Sequence, residues 1–437
     1  MNGIDENSEN AMNEMMNGEL YAILRNGGIP ALKGIDLNAL ELKPHEFKIG
    51  DSLILGAITG DIIGSVYEFH NVKRTDFDLF TPKTKFTDDS VLTVATMETL
   101  LSGETTSADY VRLYQSYGRK YPNRGWGSRF HYWIYADAPQ PYDSWGNGSA
   151  MRASPIGWVF DTIEEVLAEA EKSASVSHNH SEGIQGAQAA ALAVWLARNG
   201  VSKRDIKWNI RDKFGYNLDR TCNEIRADYA FDESCAGTVP EAVVAFLESA
   251  GYEDAIRLAV SLGGDSDTLA CITGGIAEAY YGGVPAHIAA KALSLLPDEL
   301  IRVIAQFSGK YRPKMKSQTE KGERYAAKGV EYLSRKMYWE AADEFTAALD
   351  FIAGVTGDAV EEKRVQWLVL RGDARHGRQW YEDALKDYRK ALSLSPSMPE
   401  VEKKIEAVIR EGRNFNPYID ETEENLETAP SVVQEDK

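Results

Sequence analysis

Between residues 52 and 310, small and apolar positions recur at helical spacing, with few of the alternating β-branched runs that mark strands. Gly56-Ala57-Ile58-Thr59-Gly60-Asp61-Ile62-Ile63-Gly64 reads as a closely packed helix whose small residues admit a neighbouring backbone. The segments after Thr87, Glu182 and Asp267 also suit helices. Between them lie irregular stretches rich in Trp, Tyr, Gly and Pro, above all from Tyr121 to Trp158. Loops of that length in a compact domain are functional or disordered, and the density of aromatics here argues against disorder. The expected fold class is all-α.

The pattern changes after Arg312-Pro313-Lys314. Tyr338-Trp339-Glu340-Ala341-Ala342 aligns with Tyr381-Glu382-Asp383-Ala384-Leu385 at an offset of 43 residues, which also matches Gly329 to Gly372. Both copies resemble the tetratricopeptide repeat, a helical hairpin of about 34 residues that ends near a proline, the place Pro396 takes. The excess of nine residues falls around Ala353 to Gly357, and Val401 to Arg410 suits a polar capping helix. A generic pair of helical hairpins is the alternative. The expected organisation is a largely flexible leader (1–50), a helical bundle (51–312), a small α-helical repeat domain (317–412) and an acidic tail (413–437).

The length of 437 residues suits two or three domains. The longest apolar run, Ile184 to Ala197, is too short to span a bilayer, which takes about 18 residues, so no membrane association is expected. The first residues lack the basic and apolar regions of a signal peptide. Cys222, Cys235 and Cys271, odd in number and scattered, fit a reducing cytoplasm. The net charge of −19 argues against binding a nucleic-acid polymer. Five uncompensated acids lie in residues 1–19 and a net six in 420–437, so the middle is only mildly acidic.

Within that middle, Thr87-Asp88-Asp89-Ser90 precedes an apolar run, and Asp265-Ser266-Asp267-Thr268 follows Gly263-Gly264 and precedes another. Each alone reads as a helix N-cap. Together they are two oxygen clusters of matching composition, the donor type that hard divalent cations take. Two such clusters could hold two ions about 3.5–4 Å apart. Without metal, four neighbouring carboxylates would repel one another.

With Gly60-Asp61-Ile62-Ile63-Gly64-Ser65-Val66-Tyr67-Glu68 before them and Gly146-Asn147-Gly148-Ser149-Ala150-Met151-Arg152 between them, these motifs in order resemble the ADP-ribosylglycohydrolase family over residues 52–312. The resemblance implies an all-α bundle with a binuclear Mg²⁺ (or Mn²⁺) site. It implies Thr87, Asp88, Asp89, Asp265, Asp267 and Thr268 as ligands, and hydrolysis of ADP-ribosylated proteins or small ADP-ribosyl conjugates. Glu68 takes the place of the family's catalytic glutamate, with an ordinary helix-end carboxylate as the alternative, and Asp88 and Asp267 serve the reaction through the metals. The setting Tyr67-Glu68-Phe69-His70 tilts the reading from an arginine towards a serine linkage.

Gly146, Asn147, Gly148, Ser149 and Met151 suit pyrophosphate, because small residues let backbone N–H groups approach phosphate. Arg152 adds charge there or serves a structural ion pair. His178 and His180 invite zinc, but no Cys or further His stands at ligand spacing. The resemblance instead implies that they line the nucleotide cleft. Trp126, Tyr132, Trp133, Tyr142 and Trp145 are candidates to stack on adenine. A catalytically silent ADP-ribose binder or repeat scaffold, partnered through the hairpins, is the competing class, and a metal-dependent phosphohydrolase a third.

Overall fold

The computed structural model describes residues 53–312, 316–416 and Ile419, so the leader and nearly all of the acidic tail lie outside the described residues. The described chain is helical, and its β pairing is one isolated bridge between Gly146 and Ser234. Two compact units divide between residues 316 and 317. No described helix is long and apolar enough to cross a membrane.

The first unit contains α1 (Gly56–Gly64), α2 (Asp88–Leu101), α3 (Ser107–Lys120), α4 (Ser128–Tyr135), α5 (Ile156–Val159), α6 (Ile163–Ser175) and α7 (Ser181–Arg198). It continues with α8 (Lys203–Phe214), α9 (Cys222–Asp228), α10 (Cys235–Glu248), α11 (Tyr252–Ser261), α12 (Ser266–Tyr281), α13 (Ala286–Leu293) and α14 (Asp298–Tyr311). The helices expected after Thr87, Glu182 and Asp267 are α2, α7 and α12. The stretch from Tyr121 to Trp158 is less irregular than its composition suggested. It holds α4, whose Phe130, Trp133 and Ile134 are buried and whose end is tied down by Gln115 Nε2 donating to the carbonyls of Trp133 and Ala136. Tertiary burial there overrides the weak helix propensity of aromatic residues.

At the centre, α1 and α12 cross antiparallel at backbone contact. A Cβ on Gly56 would lie 2.3 Å from the Gly274 carbonyl oxygen, one on Gly60 2.0 Å from that of Ala270, and one on Gly64 2.5 Å from Asp267 Cα. Residues spaced by four share one helix face, so the three glycines form a continuous seam. Glu278 of α12 accepts from the backbone N–H groups of Leu55 and Gly56 at 3.0 and 2.7 Å, satisfying the free N-terminus of α1. Arg312 neutralises that buried carboxylate at 3.1 Å. The seam thereby fixes α1 along α12 in both translation and depth.

The second unit is two helical hairpins, α15 (Gln318–Ser334) with α16 (Tyr338–Phe351) and α17 (Asp358–Gly377) with α18 (Tyr381–Leu394), followed by α19 (Pro399–Gly412). A Cβ on Gly329 would press on the Phe345 ring at 2.9 Å, and one on Gly372 on the Tyr388 ring at 2.5 Å. Lys336 and Gln379 take left-handed backbone in the two hairpin turns, at φ 58° and 65°. Both pairs repeat at the 43-residue offset seen in the sequence.

Candidate functional site

The seam carries Asp61 of α1 to the N-terminus of α12, and a second helix end is brought to the same place. Asp61, fully buried, accepts from the backbone N–H groups of Thr87 (3.0 Å) and Ser90 (3.1 Å), from the Thr87 hydroxyl (2.6 Å) and from the Ser90 hydroxyl. Four donors on one carboxylate lock the first turn of α2 against α1. Asp88 and Asp89 stand in that turn, and the segment Arg124-Gly125 covers it, with Asp88 donating from its backbone to the Arg124 carbonyl at 2.8 Å. Gly263 and Gly264 take positive φ, 76° and 71°, conformations that favour glycine, and deliver Asp265 and Asp267 to the start of α12.

The carboxylates form two triads that share Asp267. Oxygens of Asp61, Asp89 and Asp267 lie within 4.8 Å of one another, as do those of Glu68, Asp265 and Asp267. Burial is the main reason that Asp88, Asp89 and Asp267 hold their protons well above the usual carboxylate range. Asp61 adds to the shift at Asp88 and Asp89, and Asp265 to that at Asp267. Burial also raises Asp61, against the hydrogen bonds from Ser90 and Thr87. Glu68 is half-buried, and burial followed by the Asp265 charge pushes it up to about 7, with Lys85 opposing. Asp89 Oδ1 is buried without a hydrogen-bond partner among the described residues. Among the described residues, both groups able to hold a metal are carboxylates only, with no His or Cys.

A cavity of about 330 Å³ opens on this cluster, of a size for a small ligand. Thr87, Asp88, Asp89, Asp265, Asp267, Thr268 and Glu68 line it, as do Gly146, Asn147, Gly148, Met151 and His178. Lys85, Arg124, Arg129 and Arg152 supply positive lining. Gly146 and Gly148 lie over the His178 ring, where a Cβ would come within 3.6 and 3.1 Å of Nε2. Burial, with Arg152 and Arg129 nearby, keeps His178 neutral, its pKa well below the usual value. Arg152 is fully buried and makes no ion pair among the described residues. Its guanidinium lies 4.4 Å from the Tyr114 ring centroid and donates to the Ser173 carbonyl and Ser177 hydroxyl, while Nε and Nη1 have no hydrogen-bond partner among the described residues.

Several expected residues take other places. His180 does not line the cavity but caps α7, its Nδ1 accepting from the Glu182 N–H at 3.2 Å. Ser149 is fully buried and donates to the Gly183 carbonyl at 2.7 Å, leaving no hydroxyl for a ligand. The Asn147 side chain turns to the acidic cluster, donating to Asp265 Oδ2 at 2.7 Å and Thr238 Oγ1 at 3.0 Å. Of the aromatic candidates, Tyr142 and Trp145 line the cavity. Trp133 is buried in the core beneath Phe130, Trp126 packs against the same cluster, and Tyr132 is exposed. Two aromatics that the sequence did not single out stand at the mouth: Phe69 (76% exposed) and Phe231 (50% exposed), stacked at 6.2 Å. Asp61 was also missed as a site residue. A lone helical Asp has no local signature, and the available signal was its place in the Gly56-Gly60-Gly64 spacing.

The sequence of residues 52–317 matches the ADP-ribosylglycohydrolase family. The chain is 27% identical to "ADP-ribosylhydrolase ARH3" of Mus musculus and of Homo sapiens over 305 residues, covering 52% of this chain and 82% and 84% of theirs. Over 154 residues it is 30% identical to "ADP-ribosylarginine hydrolase Tri1" of Pseudomonas putida, covering 32% of this chain and 40% of that one. A solved structure described as an "ADP-ribosylglycohydrolase-related protein complex" aligns with a TM-score of 0.47 at 23% identity, over 61% of this chain and 97% of that chain.

Proposed function

Because the chain belongs to the ADP-ribosylglycohydrolase family and is a glycosidase-type hydrolase, we propose that it splits the bond between the distal ribose of ADP-ribose and a serine side chain of a modified protein, with divalent cations. The observation that carries this reading is the placement of Glu68, its oxygen within 4.8 Å of those of Asp265 and Asp267, on a cavity of ligand size.

The donor set fits a hard cation. It is all oxygen, it includes an orphaned buried Asp89 oxygen, and its acids hold protons that a cation would replace. Thr87, Asp88, Asp89, Asp265, Asp267 and Thr268 would hold two Mg²⁺ or Mn²⁺. Bound there, the ions supply Lewis-acid charge next to the reacting sugar. Asp61 holds Thr87 and Ser90, and Asn147 holds Asp265, so these two orient the ligand set. Arg129 and Arg152 offer the pyrophosphate positive charge, and the Gly146–Gly148 turn lets it approach the backbone. Hydrolysis adds the oxygen of water to the anomeric carbon, breaks the bond to the serine oxygen and delivers a proton to that oxygen, through an oxocarbenium-like transition state. Glu68, poised near neutrality, is the group that positions the water or moves the proton.

The setting Tyr67-Glu68 supports the serine linkage, and the likeness to the arginine hydrolase of Pseudomonas putida supports arginine as the second reading. The repeated Gly–aromatic crossings support tetratricopeptide-type hairpins. Three free, buried cysteines suit a reducing cytoplasm. The test incubates the protein with serine- and arginine-linked ADP-ribosyl peptides in Mg²⁺ or EDTA. ADP-ribose should appear from the serine peptide only with metal and vanish in Asp88→Ala and Asp267→Ala. Release from the arginine peptide alone favours the second reading, and tight ADP-ribose binding without turnover favours a silent binder.

A further inference from the structure

Glu68 and Asp265 stand on separate loops, one joining α1 to α2 and the other joining α11 to α12. We propose that Asn71 is a positioning residue that clips these two loops together and thereby sets the separation of Glu68 from Asp265 and Asp267. The turnover arm of its test rests on the hydrolase reading above; the metal-binding arm does not.

One side-chain amide makes the clip. Asn71 Nδ2 donates to the carbonyls of Tyr67 (2.7 Å), Glu68 (2.8 Å) and Gly264 (3.0 Å), and Oδ1 accepts from the Gly264 N–H (2.9 Å). Two N–H bonds meet three acceptors, so one is shared, and the amide exchanges both a donor and an acceptor with the Gly264 backbone. That residue immediately precedes Asp265. The same nitrogen holds the carbonyl of Glu68 itself, so the clip joins the backbones that bear the two carboxylates.

The far side of the glycine loop is closed. A Cβ on Gly264 would meet Tyr229 Cε1 at 2.6 Å and the Ala230 carbonyl at 2.9 Å. Lys73 Nζ donates to the carbonyls of Tyr229 (2.6 Å) and Leu262 (2.5 Å), holding the loop's other edge. Gly264 is thus packed against Tyr229 and Ala230 and bonded to Asn71 through both its N–H and its carbonyl. Shortening Asn71 therefore removes the bonds that tie the Gly264 backbone to that of Glu68.

Asn71 is exposed and does not line the cavity, so it acts through the residues it holds. Its loop has other anchors. Arg257 Nη1 donates to the carbonyls of Thr75 (3.0 Å) and Phe77 (2.8 Å), and the Tyr67 hydroxyl to that of Asp78 (2.6 Å). Loss of Asn71 should leave the loop folded and release only its register against Gly264.

The test compares the full-length protein with Asn71→Ala, Asn71→Asp and Arg257→Ala. Asn71→Asp keeps an acceptor for the Gly264 N–H but loses every donated bond, so it should behave like Asn71→Ala. Partners that orient metal-site residues typically matter about 10–100-fold in affinity or activity. Titration with Mn²⁺ alone, by calorimetry, should show affinity down about 10-fold in both Asn71 variants. Turnover of ADP-ribosyl peptide should fall about 10–100-fold in kcat with KM within about 2-fold, because the residue does not touch substrate. Arg257→Ala should lower Tm and leave Mn²⁺ affinity unchanged. Wild-type Mn²⁺ affinity in Asn71→Ala overturns the proposal, as does an equal loss of affinity in Arg257→Ala. If the unaltered protein turns over no ADP-ribosyl peptide, the hydrolase reading fails and the Mn²⁺ titration still decides the role of Asn71.

Discussion

Gly60→Ala tests whether the α1–α12 seam sets the geometry of the acidic cluster. The added methyl would lie 2.0 Å from the Ala270 oxygen, 2.5 Å from its carbonyl carbon and 2.9 Å from Cys271 N. All three are backbone atoms of α12, so no rotamer change relieves the clash. Restoring an ordinary contact of about 3.5 Å requires α1 to retreat by more than about 1 Å. Overpacking of this kind costs about 1–3 kcal/mol, and alanine returns about 0.5–1 kcal/mol through helix propensity. A net loss of about 1–2 kcal/mol should lower Tm by about 2–8 °C. The larger effect should be functional. Asp61 rides on α1 and holds Thr87 and Ser90, so the retreat pulls the start of α2 away from Asp267. A displacement of about 1 Å at a reacting centre can cost about 100-fold in rate. The assays are Mn²⁺ calorimetry and peptide turnover well below the variant's Tm. Gly251→Ala, where a Cβ would have no neighbour within 4 Å, is the control expected to change neither. A Gly60→Ala protein with lowered Tm but unchanged metal affinity and kcat would refute the reasoning.

Three further outcomes are expected. Asp267 belongs to both triads, so Asp267→Asn should abolish the rise in Tm that saturating Mg²⁺ or Mn²⁺ produces, a stabilisation of about 2.7 kcal/mol at 100 times Kd in the unaltered protein. The variant's metal-free form should be at least as stable as the wild type, because Asn replaces a buried carboxyl whose ionisation burial and Asp265 oppose. Glu241 of α10, raised to about 7 chiefly by burial and opposed by Arg220 at 2.9 Å, binds more protons folded than unfolded. It therefore favours the folded state below its ordinary value of 4.5, and that contribution is lost as pH rises through about 7. In Glu241→Gln the decline of Tm between pH 4.5 and 7.5 should be shallower, as followed by thermal melts. Gly372→Ala, whose methyl would meet the Tyr388 ring at 2.5 Å, should destabilise the hairpin unit by about 1–3 kcal/mol while leaving metal affinity unchanged. Calorimetric melts with and without Mn²⁺ separate the two effects.

The helix starts were legible because their chemistry is local. Thr87 and Asp265 sit where capping rules put short oxygen-bearing side chains, and small residues marked α1 as a helix meant for close approach. The partner in that approach was not legible, since nothing near Gly60 names Ala270. For the same reason Asp61 was passed over: its four donors come from residues 26 and 29 positions away. Asn147 sits in a glycine turn that looks made for phosphate, yet its amide serves Asp265 across 118 residues. The aromatics were legible as a group only. On α4 the packing buries Trp133 and leaves Tyr132 outside, while the two candidates that line the cavity, Tyr142 and Trp145, lie in the segment after it.

The seam has one more consequence. Where two helices are held apart by side chains, their distance drifts with every substitution between them. Here the separation is the sum of two backbone radii, a length that no mutation elsewhere in the bundle can rescale. The protein thus has a built-in ruler for its carboxylate cluster, and the surrounding core is free to vary in composition without detuning it. The same rigidity sets any side chain at Gly56, Gly60 or Gly64 against α12, so with these glycines in place the cluster changes spacing through its loops.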